Sequence, residues 1–305
     1  MVSKTERVNC NLCGANKTKT LYLNNIKSEE LGKVDAFFCT NSNFGQHGQI
    51  VKCLECSLVY TNPRSKETDI AEVYSKVIDN KYLEEKDGRL LTFQKSLKEV
   101  EKYKTDGKLL DVGCATGIFL EVANKHGWET YGIEPSKWAA NYAKEKLGLN
   151  VIAGTLEETD FPKNSFDVIT MWDVLEHFSN PLQELEKANS LLKDDGLLFL
   201  TTMNMDSPFA KLMGKRWWWL MEMHLYYFSP TTIEKMLRKA GFELVRISSH
   251  TRIVRFKYLI SRLEHYNKHL TAAMHSIGNT LNLNGLPIPI NFGDLMTVCA
   301  RKSRQ

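Results

Sequence analysis

The chain has no apolar run approaching the roughly 18 to 20 residues that span a bilayer, and Met1 to Arg7 are polar and charged, with no apolar stretch behind them. These absences argue against a spanning helix and a secretory leader, and the expected location is cytoplasmic. Proline is scarce, 8 in 305 residues, while 43% of the chain is hydrophobic and 25% charged, so neither a disordered nor a fibrous class fits. An excess of charge of one sign is also nearly missing. The net charge is +4, with the basic excess confined to Arg238–Arg304, too weak to imply a nucleic-acid partner. A chain of this length suits a catalytic domain with a small appendage.

What is present begins with cysteine. There are seven, and four of them form two C-x2-C pairs, Cys10-Asn11-Leu12-Cys13 and Cys53-Leu54-Glu55-Cys56. In a reducing compartment this pattern favours metal over disulfides. Each pair puts two thiolates on a tight turn, and two such turns complete a tetrahedral zinc site. Four thiolates leave no open coordination position, so the zinc is expected to be structural. Residues 14 to 52 are inserted between the turns and contain Cys39, outside either pair. Leu58 to Arg64 reads as a short strand ended by Asn62-Pro63, closing a zinc-binding module over residues 1–65. Glu67 to Lys104, with Gly88 its one glycine, reads as two helices in a bridge over residues 66–106.

Lys108-Leu109-Leu110-Asp111-Val112 is an apolar strand, Gly113-Cys114-Ala115-Thr116-Gly117 a turn, and the helix that follows carries Ile118, Phe119, Val122 and Ala123 on one side. A glycine turn at the carboxyl end of the first strand lets backbone approach a ligand where open α/β sheets bind them. The second strand, Thr130–Ile133, ends in Glu134, a carboxylate suited to both hydroxyls of a ribose. Asp111 would repel a pyrophosphate but favour the ammonium and sulfonium of S-adenosylmethionine. The loop lacks G-x-G-x-x-G, which disfavours a nicotinamide cofactor.

On these residues the chain resembles the class I methyltransferases, whose first motif is an acidic residue followed by G-x-G-x-G. Ala115 stands where that family usually has its middle glycine. The resemblance continues through Val151-Ile152-Ala153, with Gly154-Thr155-Leu156-Glu157 matching the segment that lines the adenine ring, through Ser165–Asp173, and through Val174-Leu175-Glu176-His177. It covers roughly residues 107 to 305. It implies an α/β fold, a doubly wound seven-stranded Rossmann-like sheet, behind the small zinc module. The last two strands, Phe242–Ser249 and Leu295–Ala300, would pair antiparallel, with residues 250–293 inserted between them. A further strand, Leu197–Thr202, and helices over Pro181–Lys193 and from Pro230 to Gly241, capped by Ser229, complete the reading. The implied cofactor is S-adenosylmethionine, with Asp111, Gly113, Cys114, Ala115, Gly117, Glu134, Pro135, Thr155, Leu156, Trp172 and Asp173 as its binding residues.

Methyl transfer requires an aligned nucleophile and removal of its proton. His177, just beyond the fourth strand, and His224 are the candidate general bases. The alternative for each is structural, His177 bracing the helix that follows. Trp217-Trp218-Trp219 with Tyr226, Tyr227 and Phe228 would wall a substrate pocket, pack as a lid, or, beside Lys211, Lys215 and Arg216, make peripheral membrane contact. The zinc module, Asn62-Pro63-Arg64, the Leu-Glu-His element and the late His-x-x-Tyr-Phe-Ser element are similar to methyltransferases of bacterial sugar and polysaccharide pathways. In the C-methyltransferases of that group a Glu-His pair stands in the late motif, whereas Met223 precedes His224 here and the acid is Glu222. The resemblance implies a small-molecule or glycan substrate, a sugar hydroxyl of a nucleotide-sugar or glycan intermediate. Two alternatives remain open: an aromatic or quinone-like acceptor, since the central region is similar to ubiquinone-biosynthesis O-methyltransferases, and a cofactor-fold binding protein without catalysis.

Overall fold

The structure, a computed structural model, describes residues 5–27, 32–38, 40, 45–263 and 268–303, and Cys39 lies outside them. At the front of the chain, β1 (Thr5–Glu6) pairs with a later strand, and β2 (Thr18–Tyr22), β3 (Ile50–Cys53) and β4 (Val59–Thr61) form an antiparallel sheet. β5 (Arg64–Ser65) is the partner of β1. The helices α1 (Glu67–Ser75), α2 (Lys81–Glu84) and α3 (Lys86–Glu101) follow. The expected two helices are therefore three. The break between α1 and α2 has no proline or glycine; it is fixed from a distance, by the Asp79 carboxylate accepting from Thr40 N at 3.0 Å and Thr40 Oγ1 at 2.5 Å.

The central part alternates strand and helix: β6 (Lys108–Val112), α4 (Ile118–Lys125), β7 (Glu129–Glu134), α5 (Lys137–Leu147), β8 (Val151–Ala153), β9 (Phe166–Trp172), α6 (Pro181–Leu191) and β10 (Leu192–Met203). Then come α7 (Pro208–Met213), β11 (Tyr226–Tyr227), α8 (Pro230–Lys239), β12 (Phe242–Ser249), β13 (Arg252–Arg255), α9 (Phe256–Leu263), α10 (Lys268–Thr280), β14 (Pro287–Ile290) and β15 (Leu295–Lys302). β10 begins earlier than expected, taking up the predicted end of α6, with a register irregularity between Leu192 and Leu197. Ser229 caps α8 through a capping box with Thr232.

Seven strands form one sheet in the order β12-β15-β10-β9-β6-β7-β8, parallel except for β15, which runs antiparallel to both neighbours. This is the class I methyltransferase, Rossmann-like arrangement. Its middle strands are buried on both faces, which is why they read as continuous apolar runs. Side chains alternate across it: Leu110, Ile169, Leu198 and Val298 enter one core, and Leu109, Val168, Leu197 and Cys299 the other. The chain leaves β6 for β7 and β8 on one side and returns to β9 and β10 on the other, so the crevice of the sheet opens between the carboxyl ends of β6 and β9. No helix of the described residues is long and apolar enough to cross a membrane.

Residues 250–293 carry the β13–β14 hairpin with α9 and α10. The hairpin is anchored on α3, where Thr92 Oγ1 accepts from Ile253 N at 2.8 Å and donates to Ile253 O at 3.1 Å, and where Glu85 accepts from Arg255 N at 2.7 Å. Gly88 sits inside α3 at this contact. A Cβ there would come within 3.1 Å of Ile253 O and 2.2 Å of Glu85 Oε1. Close approach, not helix breaking, is the use of this glycine. Gly88→Ala is therefore expected to cost about 1 to 3 kcal/mol through overpacking, although alanine in an open helix would stabilise by up to about 1 kcal/mol. Denaturant unfolding of the variant reads the sign directly, and a gain in stability would show that the hairpin does not press on α3.

Candidate cofactor and proton-transfer site

The glycine loop grows out of β6 in a conformation that few side chains tolerate. Gly113, Ala115 and Gly117 have φ of +73°, +48° and +79°. A Cβ on Gly113 would lie 2.6 Å from Val174, and one on Gly117 would lie 2.6 Å from Leu149. Ala115 thus occupies a left-handed position, at a cost of roughly 1 to 2 kcal/mol relative to glycine. The loop is held by Glu134 at the end of β7, whose carboxylate accepts from Ala115 N at 2.8 Å and Ser136 N at 2.7 Å. Asp111 is buried beneath the loop and accepts from Thr170 Oγ1 at 2.6 Å. Burial pushes the Asp111 carboxyl up to about 8, against the opposing Thr170 hydrogen bond and with help from the charge of Glu134. It pushes Glu134 up to about 7, against its two N–H donors. Two carboxyls so close to neutrality, on one side of a loop rich in backbone N–H groups, suit a ligand that brings positive charge.

The other candidate cofactor residues gather at the same edge of the sheet, with one difference in role. Cys114 is buried and its thiol is raised by burial; Pro135 and Thr155 are half-buried, and Thr155 donates through N and Oγ1 to Glu158. Leu156 is enclosed in the core. The ring of Trp172 packs edge-on against Phe119 with centroids 5.2 Å apart, inside the core rather than over the crevice. The Thr116 hydroxyl and the Trp172 indole N–H are buried without a hydrogen-bond partner among the described residues. Of the two, the Thr116 hydroxyl is in the loop itself, and an orphaned polar atom there fits a site meant to be filled.

A second group of polar side chains lies past β9, in the short turn Leu175–His177 and the segment that leads into β11. His177 Nδ1 lies 3.0 Å from Met223 O and 2.9 Å from Tyr74 Oη; His224 Nδ1 lies 2.7 Å from Trp219 O. A carbonyl can only accept, so Nδ1 carries the proton in both rings and each Nε2 keeps a lone pair. The ring centroids are 4.9 Å apart. Burial holds the pKa of His177 down to about 4 and that of His224 to about 3, the latter aided by His177, so both imidazoles are neutral at physiological pH. Beside them Glu176 is buried, accepts from Thr202 Oγ1 at 2.9 Å, and is pushed up to about 8 by burial and the charge of Asp173.

Asp173, at φ +57°, is bound by Thr201 Oγ1 at 2.9 Å and by Arg252 at 2.6 Å, and the Arg252 guanidinium also lies 4.7 Å from the Trp219 ring. Burial disfavours its charge, but Arg252 and His250 outweigh this and hold the carboxyl below its ordinary range. Arg252, His250 and Tyr74 were not marked by any sequence signal: two sit in the long insertion and one in a helix of ordinary composition. The aromatic stretch divides three ways. Trp217 and Trp219 both donate to Asp294 at 3.0 Å, the half-buried Trp218 meets Phe209 at a tilt and Phe292 edge-on, and Tyr226, Tyr227 and Phe228 are core.

The four paired cysteines converge at the front. Their sulfurs all lie within 4.8 Å of one another, with Cys10–Cys56 at 3.4 Å and Cys13–Cys53 at 3.5 Å. Four thiolates about 2.3 Å from one ion stand roughly 3.8 Å apart, so the cluster fits a tetrahedral ion. Burial raises the Cys10 thiol, and raises Cys56 to about 11. In Cys53 burial also raises the thiol, but the N–H groups of Cys56 and Glu55 outweigh it and the net direction is down.

The methyltransferase-domain family matches residues 83–247, more than half of the chain. Among curated proteins, a ubiquinone biosynthesis O-methyltransferase of Actinobacillus pleuropneumoniae serotype 7 is 39% identical over 108 residues, covering 32% of this chain and 46% of the relative. One from Coxiella burnetii is 33% identical over 115 residues, covering 35% and 49%. The chain thus spans about half the length of the curated relatives it matches. Among solved structures, a proposed methyltransferase of Bacillus halodurans aligns at TM-score 0.50 and 17% identity, over 69% of this chain and 99% of that one. A complex of a Haloferax volcanii methyltransferase activator with a proposed methyltransferase aligns at 0.51 and 10%, over 70% and 90%. These likenesses agree with the fold, a class I, Rossmann-like sheet, and the family match runs over the glycine loop and the crevice: the chain belongs to the methyltransferase-domain family.

Proposed function

We propose that the acceptor is a sugar hydroxyl of a nucleotide-sugar or glycan intermediate and that His177 and His224 take up its proton. The observation that carries this reading is the pair of neutral imidazoles, each tied through Nδ1 to a carbonyl and each keeping its Nε2 lone pair. A cavity of about 370 Å³ reaches Met223, whose carbonyl holds His177, and its lining includes Arg7, Gln49, Thr61, Arg64 and Glu222. That volume suits a small-molecule site, and the mixture of cations, amide and hydroxyl suits a polyhydroxylated acceptor. S-adenosylmethionine, when bound, supplies a methyl group on a good leaving group, so the work left to the chain is alignment and proton removal. A second reading, an aromatic or quinone-like acceptor, is favoured by the names of the curated relatives that match the central third. Product analysis with both acceptor types separates the two.

The cofactor is held on this reading by Asp111 and Glu134 with the loop Gly113–Gly117, and by Pro135, Thr155 and Asp173, with Leu156 and Trp172 packing beneath them in the core. Cys10, Cys13, Cys53 and Cys56 hold a structural zinc ion.

Three outcomes are expected. Each of His177→Ala and His224→Ala should lower turnover by about 100-fold or more while leaving S-adenosylmethionine affinity nearly unchanged; full turnover in both overturns the proton-transfer role. Binding of the cationic cofactor favours ionised carboxylates, and Asp111 and Glu134 sit near 8 and 7 without it. Binding therefore releases protons, and affinity should climb between about pH 6 and about pH 8.5 and then level off. Calorimetry in buffers of different ionisation enthalpy measures the release, and Asp111→Asn should remove most of it and weaken binding about tenfold. Flat affinity across that range would contradict the charge argument. Finally, purified protein should contain zinc that Cys53→Ser lacks, and chelation should lower its melting temperature; a zinc-free protein that melts unchanged would leave the cluster without a metal.

A further inference from the structure

The two histidines and their neighbour Glu176 form a cluster that the proton-transfer reading does not exhaust. We propose that Glu176, His177 and His224 bind a divalent transition cation, distinct from the ion of the cysteine cluster, and that this ion sits where the acceptor hydroxyl reacts. The ligand atoms of the three residues lie within 4.8 Å of one another. A modest swing of side chains closes that spread to the roughly 2.1 Å bonds that imidazole and carboxylate make to such ions.

Three details match what metal sites require of their surroundings. Each imidazole is oriented by a hydrogen bond from Nδ1 to a carbonyl, Met223 O for His177 and Trp219 O for His224, which leaves Nε2 as the ligand atom. The Glu176 carboxylate is oriented in the same way, by the Thr202 hydroxyl at 2.9 Å, with its other oxygen left for a ligand. Two neutral imidazoles and one carboxylate leave coordination positions open, the donor set of a site that acts on a substrate rather than one that only holds a fold. Asp173 lies close enough for its charge to act on all three residues, and Arg252 neutralises it at present. The cysteine cluster differs in its donors, with four sulfurs and no open position. Imidazole and carboxylate donors admit manganese as well as zinc, whereas the thiolates select zinc.

This inference rests on the hydroxyl-acceptor reading and refines it. With the ion bound, the imidazoles become ligands, and the charge of the ion favours loss of the hydroxyl proton to water. The test uses full-length protein with its cysteine cluster zinc-loaded, titrated with manganese(II) and followed by electron paramagnetic resonance. One bound manganese per chain is expected, weakened about 10- to 100-fold in His224→Ala and in Glu176→Gln and unchanged in Trp218→Ala. Cofactor binding serves as the check that the variants fold. Wild-type protein that binds neither manganese nor zinc beyond the cysteine cluster overturns the proposal whatever the variants do. So does full turnover after the second metal is removed, and in that case a loss of turnover in His177→Ala keeps the metal-free base. If manganese binds as expected but no hydroxyl compound is methylated, the cation site stands and the acceptor reading alone falls.

Discussion

The placement of His224 depends on one short piece of backbone pairing. Tyr226 and Tyr227 of β11 pair with Tyr60 and Val59 of β4, and the ladder is continued by Thr61 N to Leu225 O at 2.8 Å and Thr61 Oγ1 to His224 O at 3.1 Å. The segment from Trp217 to Leu225 has no strand or α-helix of its own, so its position comes from this seam at one end and from Asp294, which accepts from Trp217 and Trp219, at the other. The same front structure holds the turn of His177. Arg64 donates to Ser179 O at 2.7 Å, Tyr226 Oη donates to the same oxygen at 3.1 Å, and Asn11, inside the first cysteine turn, accepts from Leu182 N at 2.9 Å. A metal in the cysteine cluster would therefore act on the histidines through rigidity, by way of Asn11 and the hydrogen bond it accepts from Leu182 N.

Burial tunes the two halves of the site in opposite senses. At the glycine loop it raises carboxyls that a cationic ligand would ionise again, so empty and filled states differ in protonation. At the histidine pair it removes the charge from the imidazoles and frees their lone pairs. Arg252 stands between the halves on Asp173, contributed by an insertion that is itself clamped to α3.

How much of this was legible in the sequence follows from range. Strand, glycine turn and helix at residues 108–123 are a local pattern, and Asp111 lies one residue before the end of its strand and Glu134 at the end of its own, in runs that announce them. The two cysteine pairs were legible for the same reason, their spacing within each turn. Ala115 was visible as an odd residue, while its left-handed backbone was not, because φ at an alanine leaves no trace in composition. The division into three helices escaped because the break between α1 and α2 is made by Asp79 reaching Thr40. Arg252 and Tyr74 escaped because their partners are far away in the chain. Glu176 was read as part of a motif, and its use emerges only when Thr202 and both imidazoles are seen around it.

The order of strands limits how far the molecule is modular. β15, from the end of the described chain, lies between β10 and β12, and β4, from its front, completes the seam with β11. The stretch shared with the family, residues 83–247, contains neither. Cut to that stretch, the polypeptide would keep its cofactor loop but present two facing sheet edges with their middle strand gone and a tyrosine strand with no neighbour. Such open edges invite pairing between molecules. The part most recognisable by kinship thus takes its closing strands from outside itself, β15 for the main sheet and β4 for the seam.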